Sequence, residues 1–93
     1  MAIKKIFAIF DEKSDAFLQP FFSVTVGQAT RNISDAFDDP QHIFSKHTLD
    51  FTLYSLGTFN ETTGFINPET KQIAPIKDFK KEENNLHSIT GDL

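Results

Sequence analysis

The chain has 93 residues, a formal net charge of −4, eleven phenylalanines and no cysteine. This length allows one small domain, and the absence of cysteine excludes a disulfide framework and a thiolate metal site. The acidic balance argues against a basic, non-specific nucleic-acid binder, and no apolar run approaches the roughly 20 residues of a membrane span.

Two strands are predicted near the start of the chain. Residues 3–10 are rich in β-branched and aromatic side chains, and a polar turn at residues 11–15 follows them. Residues 16–24 have a similar composition and predict a second strand. Pro20 cannot donate a hydrogen bond to a neighbouring strand, so this second strand should lie at an edge of the sheet or contain a bulge.

A main helix is predicted to begin after Thr25, because Thr25 and Gln28 have the spacing of a capping box. Apolar residues then recur at helical spacing, at Val26, Ala29, Ile33, Ala36 and Phe37. The helix should end before Pro40, since a residue that precedes proline avoids the helical region. Asp39 is expected to cap a second, short helix that has Pro40 as its first residue and ends near Lys46.

A third strand is predicted at residues 50–59 and a hairpin loop at residues 60–64, where Gly64 suits a left-handed backbone position. A short fourth strand, a turn and a brief last strand are predicted at residues 65–66, 67–70 and 72–74. From Lys77 the chain is polar and aperiodic. We therefore predict a single α+β domain over residues 1–76 and a flexible C-terminal tail over residues 77–93.

The expected fold is a small antiparallel sheet with one main helix packed on one face. Alternate residues of a strand point to opposite faces, and both sets are apolar in the first and third strands. One helix covers only one face, so the second face needs cover from the short helix, the tail, a second copy of the chain or a ligand. The pattern alone favours a homodimer over bases stacked on exposed rings.

No catalytic motif is present, so the sequence predicts a binding protein and no enzyme. The scattered glycines form no phosphate-binding loop. His47 lies close in sequence to Ser45 and Asp50, but sequence adjacency is not how a catalytic triad is built. His42 and His47 have no cysteine or acidic cluster beside them, so neither a metal nor another cofactor is expected.

One set of segments is more specific than these general features. The segments are ATRNISDA at residues 29–36, FSKHTLDFTLYSLGTF at residues 44–59 and TG at residues 63–64. They resemble the small non-structural protein of gokushoviruses, the Chlamydia-phage-like single-stranded DNA phages of the Microviridae. The opening strand and the Phe21-Phe22 region are similar too, so the resemblance covers about residues 3–66.

The resemblance implies a non-structural, DNA-binding role in the cytoplasm of a bacterial host cell. By analogy with the control protein of related phages, it implies a switch of genome replication from double-stranded synthesis to single-stranded synthesis and packaging. The alternative is a protein-interaction module that acts on the phage replication initiator or a host replication factor without direct DNA contact. The acidic balance favours this alternative.

If the chain contacts single-stranded DNA, few side chains are available to do so. The available phosphate contacts are Lys4, Lys5, Arg31, Lys46 and His47, and the candidate stacking ring is Tyr54. Arg31 is the single arginine, and it is either a phosphate contact or a solvated helix residue. The pattern alone favours the solvated residue.

Overall fold

An antiparallel sheet forms the body of residues 2–80, which are the part of the chain that the computed structural model describes. Its strands are β1 (Ile3–Asp11), β2 (Ala16–Phe17), β3 (Phe21–Ser23), β4 (Phe51–Asn60) and β5 (Ile66–Pro75). Two α-helices, α1 (Val26–Ala36) and α2 (Ile43–Lys46), and two 3-10 helices, Thr48–Asp50 and Ile76–Phe79, complete this part of the chain. The α+β fold expected from the sequence is therefore confirmed.

Strand β1 lies inside the sheet and holds it together. It pairs along its whole length with β4, from Ile3 opposite Asn60 to Asp11 opposite Phe51. Both β2 and β3 pair with the other side of β1, and β5 pairs with the free side of β4. Strand β5 and the β2–β3 segment are thus the two edges of the sheet.

The edge position predicted from Pro20 is confirmed, but the predicted single strand is divided in two. The backbone N–H of Leu18 still donates to the carbonyl of Ile9, at 2.8 Å. Residues 18–20 then leave the ladder, and pairing resumes at Phe21 opposite Phe7. A proline has no N–H to donate to the ladder, which is consistent with the break in pairing at this position.

Helix α1 begins as the sequence predicts. The Thr25 side chain accepts a hydrogen bond from the backbone N–H of Gln28, at 3.0 Å. The Gln28 side chain does not complete a capping box, because it donates to Asn32 one turn later instead. Ala29 and Ile33 are buried against the sheet, so the helix covers one face of it.

The predicted start of the second helix is wrong. Helix α2 is capped by His42, whose Nδ1 accepts a hydrogen bond from the backbone N–H of Phe44, at 3.1 Å. Asp39 instead stabilises a turn, in which its carboxylate accepts from the N–H of Gln41. This use of the Asp39 carboxylate within the turn delays the helix by three residues, and the helix ends at Lys46 as expected.

The predicted turn at residues 67–70 is also wrong, because these residues lie within the ten-residue strand β5. Pro68 is tolerated there because an edge strand does not need every N–H for pairing. Register shifts against β4 accommodate the irregular pairing, one of them beside Gly57, which pairs with Pro68. The hairpin loop is as predicted, with Gly64 at a φ of 80°.

The core lies between the sheet and the helices. Its buried side chains are Phe7, Ile9, Ala29, Ile33, Phe44, Phe51, Leu53 and Ile76. The first residues of the predicted tail, from Lys77 to Phe79, belong to the second 3-10 helix. Phe79 packs against this core. The division at residue 76 stays a prediction, and residues 81–93 lie outside the described part of the chain.

Candidate nucleic-acid interface

The second face of the sheet is apolar, as the alternation in β1 predicts. Phe7 and Ile9 point into the core, so Ile6, Ala8 and Phe10 point to the opposite face. Residues paired across antiparallel strands lie on the same face, which identifies the other members from the register. Phe17 pairs with Phe10, Phe22 with Ile6, Tyr54 with Ala8 and Phe59 with Lys4.

Five rings on this face form two clusters, and we call the surface that they make the aromatic face. The first cluster holds Phe10, Phe17 and Tyr54, with ring centroids 5.0 to 6.1 Å apart. The second holds Phe22 and Phe59, at 5.5 Å. The helices pack on the other side of the sheet, so within residues 2–80 these rings are supported by each other and by the strands beneath them.

The aromatic face is accessible to a partner although its floor is buried. Ala8 is completely buried and Ile6 is 8% exposed, since the rings stand around them. Phe17, in contrast, is 44% exposed and Phe22 is 54% exposed. Rings with this much free surface on the strands of a small sheet are typical of an interaction surface.

Few charges accompany the aromatic face. At one end, Lys4 contacts Glu61 in an ion pair of 2.7 Å. At the other end, the Thr52 hydroxyl donates to the carboxylate of Glu12, at 3.4 Å. The Tyr54 hydroxyl donates to the Gln72 amide oxygen, at 3.3 Å. This surface therefore offers rings for stacking and a weak electrostatic field.

The six residues predicted to contact DNA do not form one site. Lys4 and Tyr54 lie on the aromatic face, whereas Lys5 follows Lys4 in β1 and points to the opposite face. Arg31 lies exposed in α1, which belongs to the helical layer on the other side of the sheet.

The two remaining candidates lie at the end of α2, away from the aromatic face. Lys46 is the last residue of the helix, and His47 caps it. His47 Nδ1 lies 3.9 Å from Asp50 Oδ2. A nucleic-acid strand on the aromatic face would therefore have to pass an edge of the sheet to reach either residue.

The phenylalanine members of the aromatic face are Phe10, Phe17, Phe22 and Phe59, and none of them is among the residues predicted to contact DNA. The alternation of apolar residues in β1 indicates that Phe10 points away from Phe7. Its neighbours depend on strand register, which brings together residues distant in sequence. The contact between Phe10 and Phe17 could have been predicted by pairing β1 as a hairpin with the segment after the polar turn.

Two further findings concern residues 2–80. No group of three or more histidine, aspartate or glutamate side chains in this range lies close enough to hold a metal ion. No helix in the same range is long and apolar enough to cross a membrane.

These observations define a small α+β protein in which helices cover one face of the sheet and no helix of residues 2–80 covers the aromatic face. A family model described as Phage ORF5 protein matches residues 4–79, and the chain belongs to this family. The match includes all of the sheet except Ile3, the first residue of β1, and it ends at the last residue of the second 3-10 helix. No curated protein and no solved structure matches the chain. The chain is therefore a phage protein, as the resemblance implies.

Proposed function

We propose that this phage protein binds single-stranded DNA on its aromatic face. The observation that carries the proposal is the exposure of Phe17 and Phe22, at 44% and 54%, within two ring clusters on one sheet face. Every unpaired base can stack on such rings, and each stacked base contributes about 1–3 kcal/mol to binding. Bases in a duplex are already stacked on each other, so single strands are preferred.

The spacing of the two clusters suits an extended strand. Phe17 pairs with Phe10 and Phe22 pairs with Ile6, four residues earlier in β1. At about 3.3 Å per residue, the cluster positions lie about 13 Å apart along β1. A single strand can therefore stack one base at each cluster while its backbone crosses the sheet surface between them.

In the infected cell, we propose that this binding helps switch genome replication. Coating of the newly made strand would withdraw it from double-stranded synthesis and favour single-stranded synthesis and packaging, in the cytoplasm of the bacterial host. Membership of a phage family supports this role, and so does the resemblance to the gokushovirus non-structural protein. No membrane and no cofactor take part in the proposed role.

A second candidate function uses the same surface for a protein. Lys4 is the one cation that the β1 register places on the aromatic face, and it is already paired with Glu61. This low positive charge favours a protein-interaction module that acts on the phage replication initiator or a host replication factor. A second copy of the chain could cover the face in the same way, which is the predicted homodimer.

A fluorescence-anisotropy titration with a labelled oligothymidine separates these candidates. We expect Phe17→Ala to weaken binding about 5- to 150-fold, the loss of one stacked base. Leu49→Ala is the matched control, because Leu49 is equally apolar and 77% exposed but lies in the 3-10 helix after α2. If both variants bind as the unaltered protein does, or if no binding occurs at low salt, the DNA proposal fails and the protein partner takes its place.

A further inference from the structure

A groove opens beside the aromatic face, where the edge of the sheet is broken. It has a volume of about 410 Å³ and lies between α1, α2 and the segment at residues 18–20. Ile9, Ile33 and Phe44 of the core line it on the inside. The groove exists because Pro20 lies where the pairing of the β2–β3 segment with β1 is interrupted, so no continuous strand closes this side of the core. Its size lies within the usual range of small-ligand pockets.

Three neutral polar side chains line the same groove, namely Gln19, Asn32 and His42. The Asn32 Oδ1 accepts a hydrogen bond from Gln28, at 3.2 Å, so its amide N–H groups are the donors that it offers to a ligand. The His42 Nδ1 accepts from the backbone of Phe44, which leaves the proton of the neutral ring on Nε2 as a second donor. Among residues 2–80, no lysine, arginine, aspartate or glutamate lines the groove.

Phe22 connects the groove to the aromatic face. Its ring packs against Phe59 on that face, and the same residue lines the groove at the edge of β3. A strand that leaves the second ring cluster at Phe22 therefore reaches the groove by passing round the sheet edge at β3.

We infer that the groove holds one nucleobase of the strand that stacks on the aromatic face, an inference that rests on the proposed function. A base is flat and uncharged, with apolar faces and a polar edge, and proteins read single strands by stacking the faces and hydrogen-bonding the edge. The aliphatic and aromatic lining suits the faces. The amides of Asn32 and Gln19 and the Nε2–H of His42 suit the edge. Residues 2–80 offer a phosphate no cation in this groove, so the backbone stays outside it.

The consequence is a base preference at one position of an otherwise unselective strand. Stacking on the two ring clusters tolerates any base, whereas hydrogen bonds to a base edge distinguish one base from another. We expect the best and the worst of oligothymidine, oligoadenine and oligocytosine, each of about 12 nucleotides, to differ about tenfold in affinity.

The experiment compares these three labelled oligonucleotides with the full chain and two groove variants. Asn32→Ala removes an exposed carboxamide from α1. His42→Asn retains an acceptor that can cap α2 but loses the Nε2–H. Gln41→Ala is the matched control, since Gln41 is exposed next to His42 and does not line the groove. Circular dichroism checks that each variant is folded, and sedimentation checks its mass.

The expected result is that both groove variants bind the three oligonucleotides with nearly equal affinity, while Gln41→Ala retains the tenfold preference. Equal binding of all three by the unaltered protein overturns the base site but leaves the aromatic face as a DNA platform. The base site is also overturned if the groove variants lose affinity equally for all three oligonucleotides. A change of sedimentation mass without a change of base preference overturns it too, and would assign the groove to a protein contact. If the unaltered protein binds no oligonucleotide at all, both the base site and the proposed function fail.

Discussion

Phe17 shows how one exposed ring is kept in place on an open surface. Its neighbours Phe10 and Tyr54 both contact it edge to face, at 5.0 and 5.1 Å. Such pairs contribute about 0.5–1.5 kcal/mol beyond the burial of their area. The ring therefore has a defined orientation while it remains 44% exposed, and a base that stacks on it need not first order a mobile side chain.

At the same scale, we predict that replacing Lys4 and replacing Arg31 change the salt dependence of DNA binding differently. Lys4 lies on the aromatic face beside Phe59, whereas Arg31 lies on the helical layer. Each phosphate contact adds about 0.7 to the slope of log affinity against log salt for a single strand. We expect Lys4→Ala to lower the slope by about this amount and Arg31→Ala to leave it unchanged, in anisotropy titrations over a salt series.

Glu61→Gln is a useful companion to these variants, because it releases Lys4 from its ion pair. It should strengthen binding at low salt, and the effect should disappear as salt rises. A larger effect of Arg31→Ala than of Lys4→Ala on the slope would contradict the placement of the strand. It would favour a phosphate contact over a solvated helix residue for Arg31, the two alternatives that the sequence left open.

At the scale of elements, several features that depend on neighbouring residues could be predicted, although the Asp39 cap of α2 was wrong, and the residues brought together by strand register could not. The Thr25 cap and the end of α1 before Pro40 follow from local rules, and both were predicted correctly. Residues 67–70 have the composition of a turn, but pairing with β4 overrides that local preference. The aromatic face has the same origin, since strand register places Phe10, Phe17 and Tyr54 together.

Two glycines provide a test of how β4 and β5 approach each other. Gly57 has a φ of 139°, and a Cβ at this position would collide with the backbone of Asn67. We expect Gly57→Ala to lower the free energy of unfolding by about 2 kcal/mol or more, because both the strain and the collision must be relieved. Urea unfolding followed by circular dichroism measures the change.

Gly27→Ala is the matched control for this substitution. Gly27 lies in the first turn of α1, and the nearest atom to an added Cβ is 3.8 Å away, which is ordinary contact. Alanine favours the helix over glycine by about 0.5–1 kcal/mol, so this variant should be slightly stabilised. If the two variants have the same free energy of unfolding, β4 and β5 do not approach each other closely at Gly57 and Asn67.

At the scale of the whole molecule, the small core and the apolar second face both favour stabilisation of the fold by a partner. A domain of this size buries only about 60% of the surface that its unfolded chain exposes, so its own core provides limited stability. The sheet adds a second apolar surface that the helical layer does not cover. Contact with a partner on that surface stabilises the folded state by mass action.

We predict that the protein forms a homodimer at micromolar concentration through the aromatic face. Single-stranded DNA should compete with this contact between the two copies. Two sheets can pack face to face about 10 Å apart with their inner side chains interdigitated, and a two-fold axis uses the same patch on both copies. Sedimentation equilibrium should then give twice the monomer mass of 10.5 kDa. Because the dimer hides Phe17 and Phe22, an excess of oligothymidine should convert it to complexes that contain one chain each.

Phe22→Glu should prevent this dimer, because it places a charge in the centre of an apolar contact. Phe22 is 54% exposed in the single chain, so the fold itself should tolerate the change. Leu49→Glu adds the same charge on the helical side and should remain dimeric. A monomer at every concentration in the unaltered protein would remove the dimer and leave the aromatic face free for DNA. A dimer that survives Phe22→Glu and binds oligothymidine without dissociating would place the contact between copies on another surface, such as the free edge of β5.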